Sequence, residues 1–365
     1  MAHGSRLVDL VQHRIEDFLA DRSSILRSIS PDLAPLNAFS KRFLSGGKRF
    51  RARFCYWGWE AVTGRGGDPG ADLYPVVSAA AALELFHAAA LIHDDLIDNS
   101  DTRRGAPSAH RLFERVHAEA GWSGRADEYG RASAILLGDL LLGWSDELLD
   151  EGLESLGDRR AARAARTEFM RMRTEVTAGQ YLDILEERAW LTRPDAEHRD
   201  RAERVIVFKA AKYSVEAPLA IGAAIAGGSA QQLHALRDFG LPLGIAYQLR
   251  DDLLGVFGDP EVTGKPAGDD LREGKRTMLI AIARERLSSG QRSILDELLG
   301  DPDLGPDQVR MLQRTIDGCG AVDEVEGLIA THLATATDAL AVAPISRTAK
   351  SELVSLAEAV ARRAS

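Results

Sequence analysis

Residues 73–98, LYPVVSAAAALELFHAAALIHDDLID, hold the pattern on which the fold prediction depends. An almost wholly apolar run with helical character ends in three aspartates, Asp94, Asp95 and Asp98. On an ideal helix these carboxylates fall within about 100° of one another, so they share one face of the last turn. A helix C-terminus carries partial negative charge, so acids there are unfavourable unless a cation binds them. The stretch predicts a buried helix that ends in a cation-binding carboxylate cluster.

Helical periodicity continues along nearly the whole chain. Alternating runs of β-branched residues bounded by turns are absent, which favours an all-α protein. With no Ser-, Pro- or Gly-rich linker, we predict a single-domain helical bundle over residues 1–365, with residues 1–20 as a peripheral N-terminal helix. Glycine and proline predict loops at 64–70, 121–130 and 258–268. The predicted helices cover residues 36–62, 73–97, 108–120, 128–156, 159–190, 198–226, 229–257 and 274–300, with three more before the end. The first of these is expected to be interrupted, or to start, near Gly46-Gly47.

Composition excludes several classes of protein. The 365 residues include 45 Lys and Arg against 55 Asp and Glu, a formal net charge of −10, which argues against nonspecific nucleic-acid binding. The two cysteines, Cys55 and Cys319, are too far apart in sequence for a metal-binding pair, and a reducing compartment fits them. Glu84 and His87 interrupt the apolar run at 76–92, which falls short of the roughly 20 residues of a transmembrane helix. We predict a soluble, cytoplasmic protein.

A second acidic cluster lies in residues 248–255, QLRDDLLG, at the end of another long apolar helix. Its carboxylates are Asp251 and Asp252. We expect the two clusters to face one another across the bundle and to form a carboxylate-lined mouth. Oxygen ligands without a His or Cys set favour Mg²⁺ bridging to a polyphosphate, and we interpret His93 as structural rather than metal-binding.

Basic residues accompany both acidic clusters, as a diphosphate ligand would require. Two arginines follow the first cluster within one short turn, lysines follow the second, and a Gly-Gly pair precedes three cations at a predicted helix start, where backbone N–H groups favour a phosphate. These cations are Lys48, Arg49, Arg51, Arg103, Arg104, Lys265, Lys275 and Arg276.

Taken in order, five motifs resemble the trans-isoprenyl diphosphate synthases, the polyprenyl synthetase family, and in particular its geranylgeranyl diphosphate synthases. The motifs are GGKRFR, FHAAALIHDDLIDNSDTRRG, FKAAKY, YQLRDDLLGVFGDPEVTGKP and DLREGKRT. The resemblance implies an isoprenoid-synthase fold around a deep apolar cavity and a homodimer. It also implies a prenyltransferase that condenses isopentenyl diphosphate with a dimethylallyl, geranyl or farnesyl diphosphate.

The same resemblance assigns roles to individual residues. A trinuclear Mg²⁺ cluster on the allylic diphosphate would have Asp94, Asp98 and Asp251 as ligands, supported by Asp95 and Asp252. The allylic diphosphate would be bound by Arg103, Lys209 and Lys265. Isopentenyl diphosphate would be bound by Lys48, Arg51, His87 and Arg104. Gln180, Asp183, Gln248 and Lys275 would line the site.

The sequence departs from the family pattern at two positions in these motifs. Gly255 stands where many relatives have a third aspartate, and Ala210 stands where a threonine commonly follows the lysine. Below the first cluster, Ala89 and Ala90 are small, and Phe86, about 12 Å from Asp94 at 1.5 Å per residue, is the nearest bulky side chain. In family terms this favours a product longer than farnesyl, with geranylgeranyl diphosphate expected.

Two other functions keep part of this pattern. A class I terpene cyclase would also use the magnesium-binding acids, but it would not need a second diphosphate site. A catalytically silent regulatory subunit would be expected to lose one aspartate motif or its arginine pair.

Overall fold

The computed structural model describes residues 2–65, 68, 70–103, 105–259 and 268–361, without the side chains of 2–5 and 361. Helices dominate these residues, as the sequence predicts, and a two-stranded hairpin is the only sheet among them. The helices are α1 Ala2–Ile29, α2 Ala34–Phe43, α3 Phe50–Thr63, α4 Tyr74–Ile97, α5 Ala109–Ala120, α6 Ala126–Glu154, α7 Arg159–Ala189, α8 His198–Val205, α9 Ala217–Ile225, α10 Ala230–Phe257, α11 Asp269–Glu273, α12 Met278–Arg286, α13 Ser289–Leu298, α14 Pro306–Gly318, α15 Ala321–Val342 and α16 Arg347–Ala361. The hairpin pairs β1, Thr102–Arg103, with β2, Ala106–Pro107.

Two predicted helices are each divided in the structure. The break predicted near Gly46-Gly47 within 36–62 is present, because both glycines have positive φ and separate α2 from α3. The predicted helix at 274–300 is likewise two helices, α12 and α13. Ser288 begins the second of them with a capping box, in which its side chain and that of Gln291 satisfy each other's backbone N–H groups.

The chain divides into two compact units, residues 1–166 with 221–228 and residues 167–220 with 229–365. The prediction of a single domain over 1–365 stays a prediction. In the first unit α4 is the central helix and packs against α1, α3 and α6. It is the one helix among the described residues that is long and apolar enough to cross a membrane, but most of it is buried in the structure, as in a core helix.

In the second unit α10 packs against α15 and against a π-helical segment, Ile206–Glu216. The sequence pattern predicts an uninterrupted helix at 198–226, so the π-helical segment is a difference from the prediction. The backbone of α7 passes very close to this segment at Gly179, where an added Cβ would overlap the backbone nitrogen of Lys209. A π-helical stretch inside a longer helix often marks a functional site, and this one carries the predicted substrate-binding Lys209.

Candidate active site

The first carboxylate cluster ends α4, and Arg103 of β1 holds two of its members. The Arg103 guanidinium donates through Nε to Asp95 Oδ1 at 2.8 Å and through Nη2 to Asp94 Oδ2 at 3.2 Å. Asp95 is buried, whereas Asp94 and Asp98 are half-buried. The hairpin turns the chain back so that an arginine lies over the negative end of the helix. The sequence predicts a short turn with two arginines here, but not the pairing of β1 with β2.

His93, next to this cluster in sequence, packs against α6. Its ring lies over Gly138 of α6, where an added Cβ would overlap it. The His93 Nε2 atom lies 3.4 Å from Asp139 Oδ1 and 3.4 Å from the carbonyl oxygen of Ile135. These contacts agree with the structural interpretation, because the histidine fills the space between two packed helices.

The residues assigned to isopentenyl diphosphate lie in the first unit. Lys48 is exposed in the loop before α3, Arg51 is half-buried in the first turn of α3, and His87 is half-buried on α4, two turns before Asp94. Arg104 lies outside the described residues. The loop and the two helices thus carry three of the four predicted residues within one compact unit.

The second carboxylate cluster ends α10 in the second unit. Asp252 is buried and accepts a hydrogen bond of 2.8 Å from Gln248 Nε2 through its Oδ1 atom. Its Oδ2 atom is buried and has no hydrogen-bond partner among the described residues. Burial, followed by the negative charges of Asp270, Asp251 and Asp183, raises the pKa of the Asp252 carboxyl, although the Gln248 hydrogen bond opposes this. Such a site favours a bound cation.

The structure gives a steric reason for Gly255. A Cβ added at this position would overlap the carboxylate of Asp270, which lies on α11. A larger side chain therefore has no room at position 255 of α10, because the Asp270 carboxylate from α11 fills that space. Sequence analysis did not single out Asp270, although its place in the DLREGKRT motif was an available signal.

The cations of the second unit meet at Asp183 on α7. Lys209, in the π-helical segment, pairs with the Asp183 carboxylate. Lys275 Nζ lies 3.4 Å from Asp183 Oδ2 and 2.9 Å from Glu187 Oε1. Lys209 and Lys275 thus form an ion-pair network with Asp183 and Glu187 that holds the two lysines close together. Gln180 is half-buried on the same helix, and Lys265 lies outside the described residues.

Comparison with known proteins identifies the family. The family model for polyprenyl synthetase matches residues 34–316. The chain belongs to the polyprenyl synthetase family. A crystal structure of geranylgeranyl pyrophosphate synthase from Corynebacterium glutamicum, complexed with isoprenyl diphosphate and magnesium, is 38% identical, with a TM-score of 0.89 over 98% of this chain and 99% of that chain.

Curated relatives match this polyprenyl synthetase over most of both chains. A short chain isoprenyl diphosphate synthase from Methanothermobacter thermautotrophicus is 31% identical over 92% of this chain and 90% of its own. A geranylfarnesyl diphosphate synthase from Aeropyrum pernix is 31% identical over 95% of this chain and 96% of its own. The predicted all-α isoprenoid-synthase fold and the predicted trans-prenyltransferase class are confirmed.

The donor set of this polyprenyl synthetase suits magnesium better than a metal held by protein alone. Among the described residues, no three His, Cys, Asp or Glu side chains are grouped closely enough to hold a metal ion. Mg²⁺ commonly binds one or two carboxylates and completes its octahedron with waters and substrate phosphates. The hard oxygen donors of both clusters, and the orphaned buried oxygen of Asp252, fit that mode of binding.

The residues predicted to control product length lie on the buried part of α4. Phe86 and Ala89 are buried, at 4% and 0% exposed, and Ala90 is half-buried. Small side chains therefore occupy the turn directly before the first cluster, and the bulky ring lies one turn further back. The deep apolar cavity and the chain-length role of these residues stay predictions.

Sequence analysis noted Glu84 as an interruption of the apolar run but did not identify its partner. Glu84 lies on α4 inside an otherwise apolar stretch and forms an ion pair with Arg49. The available signal was the carboxylate itself, because a charged residue in a buried run is almost never left unpaired.

Proposed function

We propose that this enzyme condenses isopentenyl diphosphate with an allylic diphosphate in a Mg²⁺-dependent reaction, and that geranylgeranyl diphosphate is its product. One observation carries the proposal: in a member of this family, two carboxylate clusters each end a long buried helix, and basic side chains accompany both. Carboxylates with metal ions, together with lysine and arginine, are the groups that bind and activate a diphosphate leaving group.

Two sets of side chains would bind the two substrates. Asp94, Asp98 and Asp251 would hold Mg²⁺ on the allylic diphosphate, with Asp95 and Asp252 in support. Arg103, Lys209 and Lys265 would bind the allylic diphosphate directly, and Gln180, Gln248 and Lys275 would line the site. Lys48, Arg51, His87 and Arg104 would bind isopentenyl diphosphate. The contacts of Lys209 and Lys275 with Asp183 support this assignment, because they bring two of the assigned basic side chains together.

The reaction proceeds by ionisation, condensation and elimination. The allylic C–O bond breaks and its electron pair leaves with the diphosphate, whose growing charge the basic side chains stabilise. Bound Mg²⁺ supplies further neutralisation of that leaving group. The double bond of isopentenyl diphosphate then attacks the allylic carbon, and a proton passes to the released diphosphate. The apolar residues of the helix before the first cluster exclude water from the allylic carbocation.

Product length, assembly and location are part of the proposal. Small residues before the first cluster support a product longer than farnesyl diphosphate. The relatives include a geranylgeranyl and a geranylfarnesyl diphosphate synthase, which also agrees with a product of that length. We propose a cytoplasmic homodimer that works without nucleic acid. The curated relatives are synthases, so the terpene cyclase and the regulatory subunit are not favoured.

Turnover assays test the function directly. The protein is incubated with Mg²⁺, isopentenyl diphosphate and dimethylallyl, geranyl or farnesyl diphosphate in turn, and the dephosphorylated products are sized by chromatography. Elongation to a twenty-carbon product supports the proposal. Cyclised products formed without isopentenyl diphosphate would indicate a terpene cyclase, and no turnover with any pair would indicate a silent subunit.

The metal assignment is tested with an isosteric substitution. Asp94→Asn removes one charge at the first cluster, and we expect kcat to fall by about 10²-fold or more, because stabilisation of the leaving group is the main source of catalysis. Asp317→Asn, an exposed acid on α14, is the matched control and should retain wild-type turnover. Activity of D94N within about twofold of wild type would refute the ligand role, since kcat would then not depend on that carboxylate.

A further inference from the structure

Arg49 is a basic residue of the GGKRFR motif that the substrate assignments leave without a role. Unlike Lys48, which is exposed, Arg49 is buried. Its Nη1 donates to Glu84 Oε2 on α4 at 3.2 Å, and its Nη2 donates to Gln12 Oε1 on α1 at 2.6 Å and to the carbonyl oxygen of Leu44. One guanidinium therefore connects α1, α4 and the residue that follows α2.

Glu84 completes the same arrangement from the other side. Its second oxygen, Oε1, accepts a hydrogen bond of 3.2 Å from the backbone nitrogen of Ala52 in the first turn of α3. The N-cap residue of α3 is Arg49 itself, in the left-handed conformation at φ 48°, and its side chain caps nothing in the helix. Glu84 thus supplies from α4 the acceptor that an N-cap side chain would ordinarily provide.

Along the sequence, Arg49 and Glu84 are close neighbours of the residues assigned to isopentenyl diphosphate. Lys48 precedes Arg49, Arg51 precedes Ala52, and His87 lies three residues beyond Glu84, on the next turn of α4. We infer that the buried Arg49–Glu84 pair positions Lys48, Arg51 and His87 as one diphosphate-binding group. The pair is a positioning device and touches no substrate, and the inference rests on the proposed function.

Stability alone is a poor explanation for this pair. The two side chains are 4% and 7% exposed, and removing two charges from water costs about as much as their attraction returns. A well-packed apolar pair could fill the same space. A guanidinium with three acceptors and a carboxylate with two donors instead fix the directions of the loop and of the helix start. That geometric precision is what a binding group needs.

The test separates positioning from folding by removing both charges together. In R49M/E84Q no charge is left buried without a partner, and the glutamine oxygen can still accept from the Ala52 nitrogen. We expect a folded protein whose KM for isopentenyl diphosphate rises by about tenfold or more, with the KM for the allylic diphosphate within about twofold of wild type. R49K keeps the positive charge but lacks the planar guanidinium with its several donors. It should show a smaller rise in the KM for isopentenyl diphosphate.

A matched control removes another ion pair in the same unit. Arg14 of α1 pairs with Glu151 of α6, away from the GGKRFR loop. R14M/E151Q should leave both KM values within about twofold of wild type, because that pair joins no assigned substrate-binding residues.

Each outcome decides one question. If R49M/E84Q is folded and its KM for isopentenyl diphosphate is unchanged, or if both KM values rise equally, the positioning role is wrong. If R49M/E84Q does not fold, the R49K variant decides. A rise in its KM for isopentenyl diphosphate without an equal rise in its KM for the allylic diphosphate supports the positioning role, and any other result contradicts it. If the wild-type enzyme does not elongate any allylic diphosphate, the proposed function itself has failed, and this result precedes any comparison of variants.

Discussion

At the scale of single residues, Gly255 shows how one side chain can be excluded by another. The family pattern places a carboxylate there, whereas this chain places the carboxylate of Asp270 in that space from α11. Asp270 lies close enough to the second cluster for its negative charge to contribute to the raised pKa of the Asp252 carboxyl.

This arrangement predicts a reciprocal pair of substitutions. Gly255→Asp should destabilise the protein by ~1–3 kcal/mol, because the new side chain overlaps the Asp270 carboxylate in a packed region. Adding Asp270→Gly to G255D should recover most of that loss. The measurement is chemical denaturation of wild type, G255D, D270G and the double variant. Additive effects of the two substitutions would contradict the proposed steric exclusion, since residues in contact should couple.

At the scale of elements, α4 joins the first cluster to the predicted floor of the product tunnel. Phe86→Ala removes a buried ring two turns before Asp94 and should lengthen the product by at least one five-carbon unit. Phe113→Ala on α5 removes a ring of equal size that is also buried in this unit, so it should leave product length unchanged. Product sizing by chromatography measures both. An unchanged F86A product would place the floor elsewhere.

The contact between α7 and the π-helical segment leads to a second prediction at this scale. Gly179→Ala would place a methyl group against the backbone of Lys209, so we expect a loss of ~1–3 kcal/mol and a higher KM for the allylic diphosphate. Gly143→Ala is the control, since an added Cβ in α6 meets nothing within 4 Å. It should stabilise the protein by up to ~1 kcal/mol through helix propensity. Thermal unfolding and steady-state kinetics distinguish the two glycines, and equal effects would contradict the role of close approach.

At the scale of the whole molecule, we expect the carboxylates and the basic side chains to bind Mg²⁺ and a diphosphate together. Inorganic pyrophosphate with Mg²⁺ should raise the midpoint of thermal unfolding by several degrees, because a ligand at 100 times its Kd adds about 2.7 kcal/mol of stability. Either component alone should have a smaller effect, and EDTA should remove the shift. Differential scanning fluorimetry measures this. The same shift in the presence of EDTA would mean that pyrophosphate binds without the metal.

Much of the fold and site could be predicted because the relevant signals are local. Helical periodicity located α4 and α10, and the aspartates at their ends identified both clusters before any contact was known. The break at Gly46 and Gly47 could be predicted for the same reason, since adjacent glycines are a local signal. The division of 274–300 was missed, because the apolar spacing continues across the break while capping at Ser288 begins a new helix.

The sequence by itself determined the helical class, the family and the residues available for chemistry, since these depend on composition, period and motif order. Only the tertiary structure decided that Arg49 is buried against Glu84, that Asp270 fills the space at Gly255, and that Lys209 lies in a π-helical segment against Gly179. The physical reason is that each of these contacts joins residues far apart along the chain. Whether such residues come into contact depends on the path of the backbone, and the periodicity within one helix carries no information about that path.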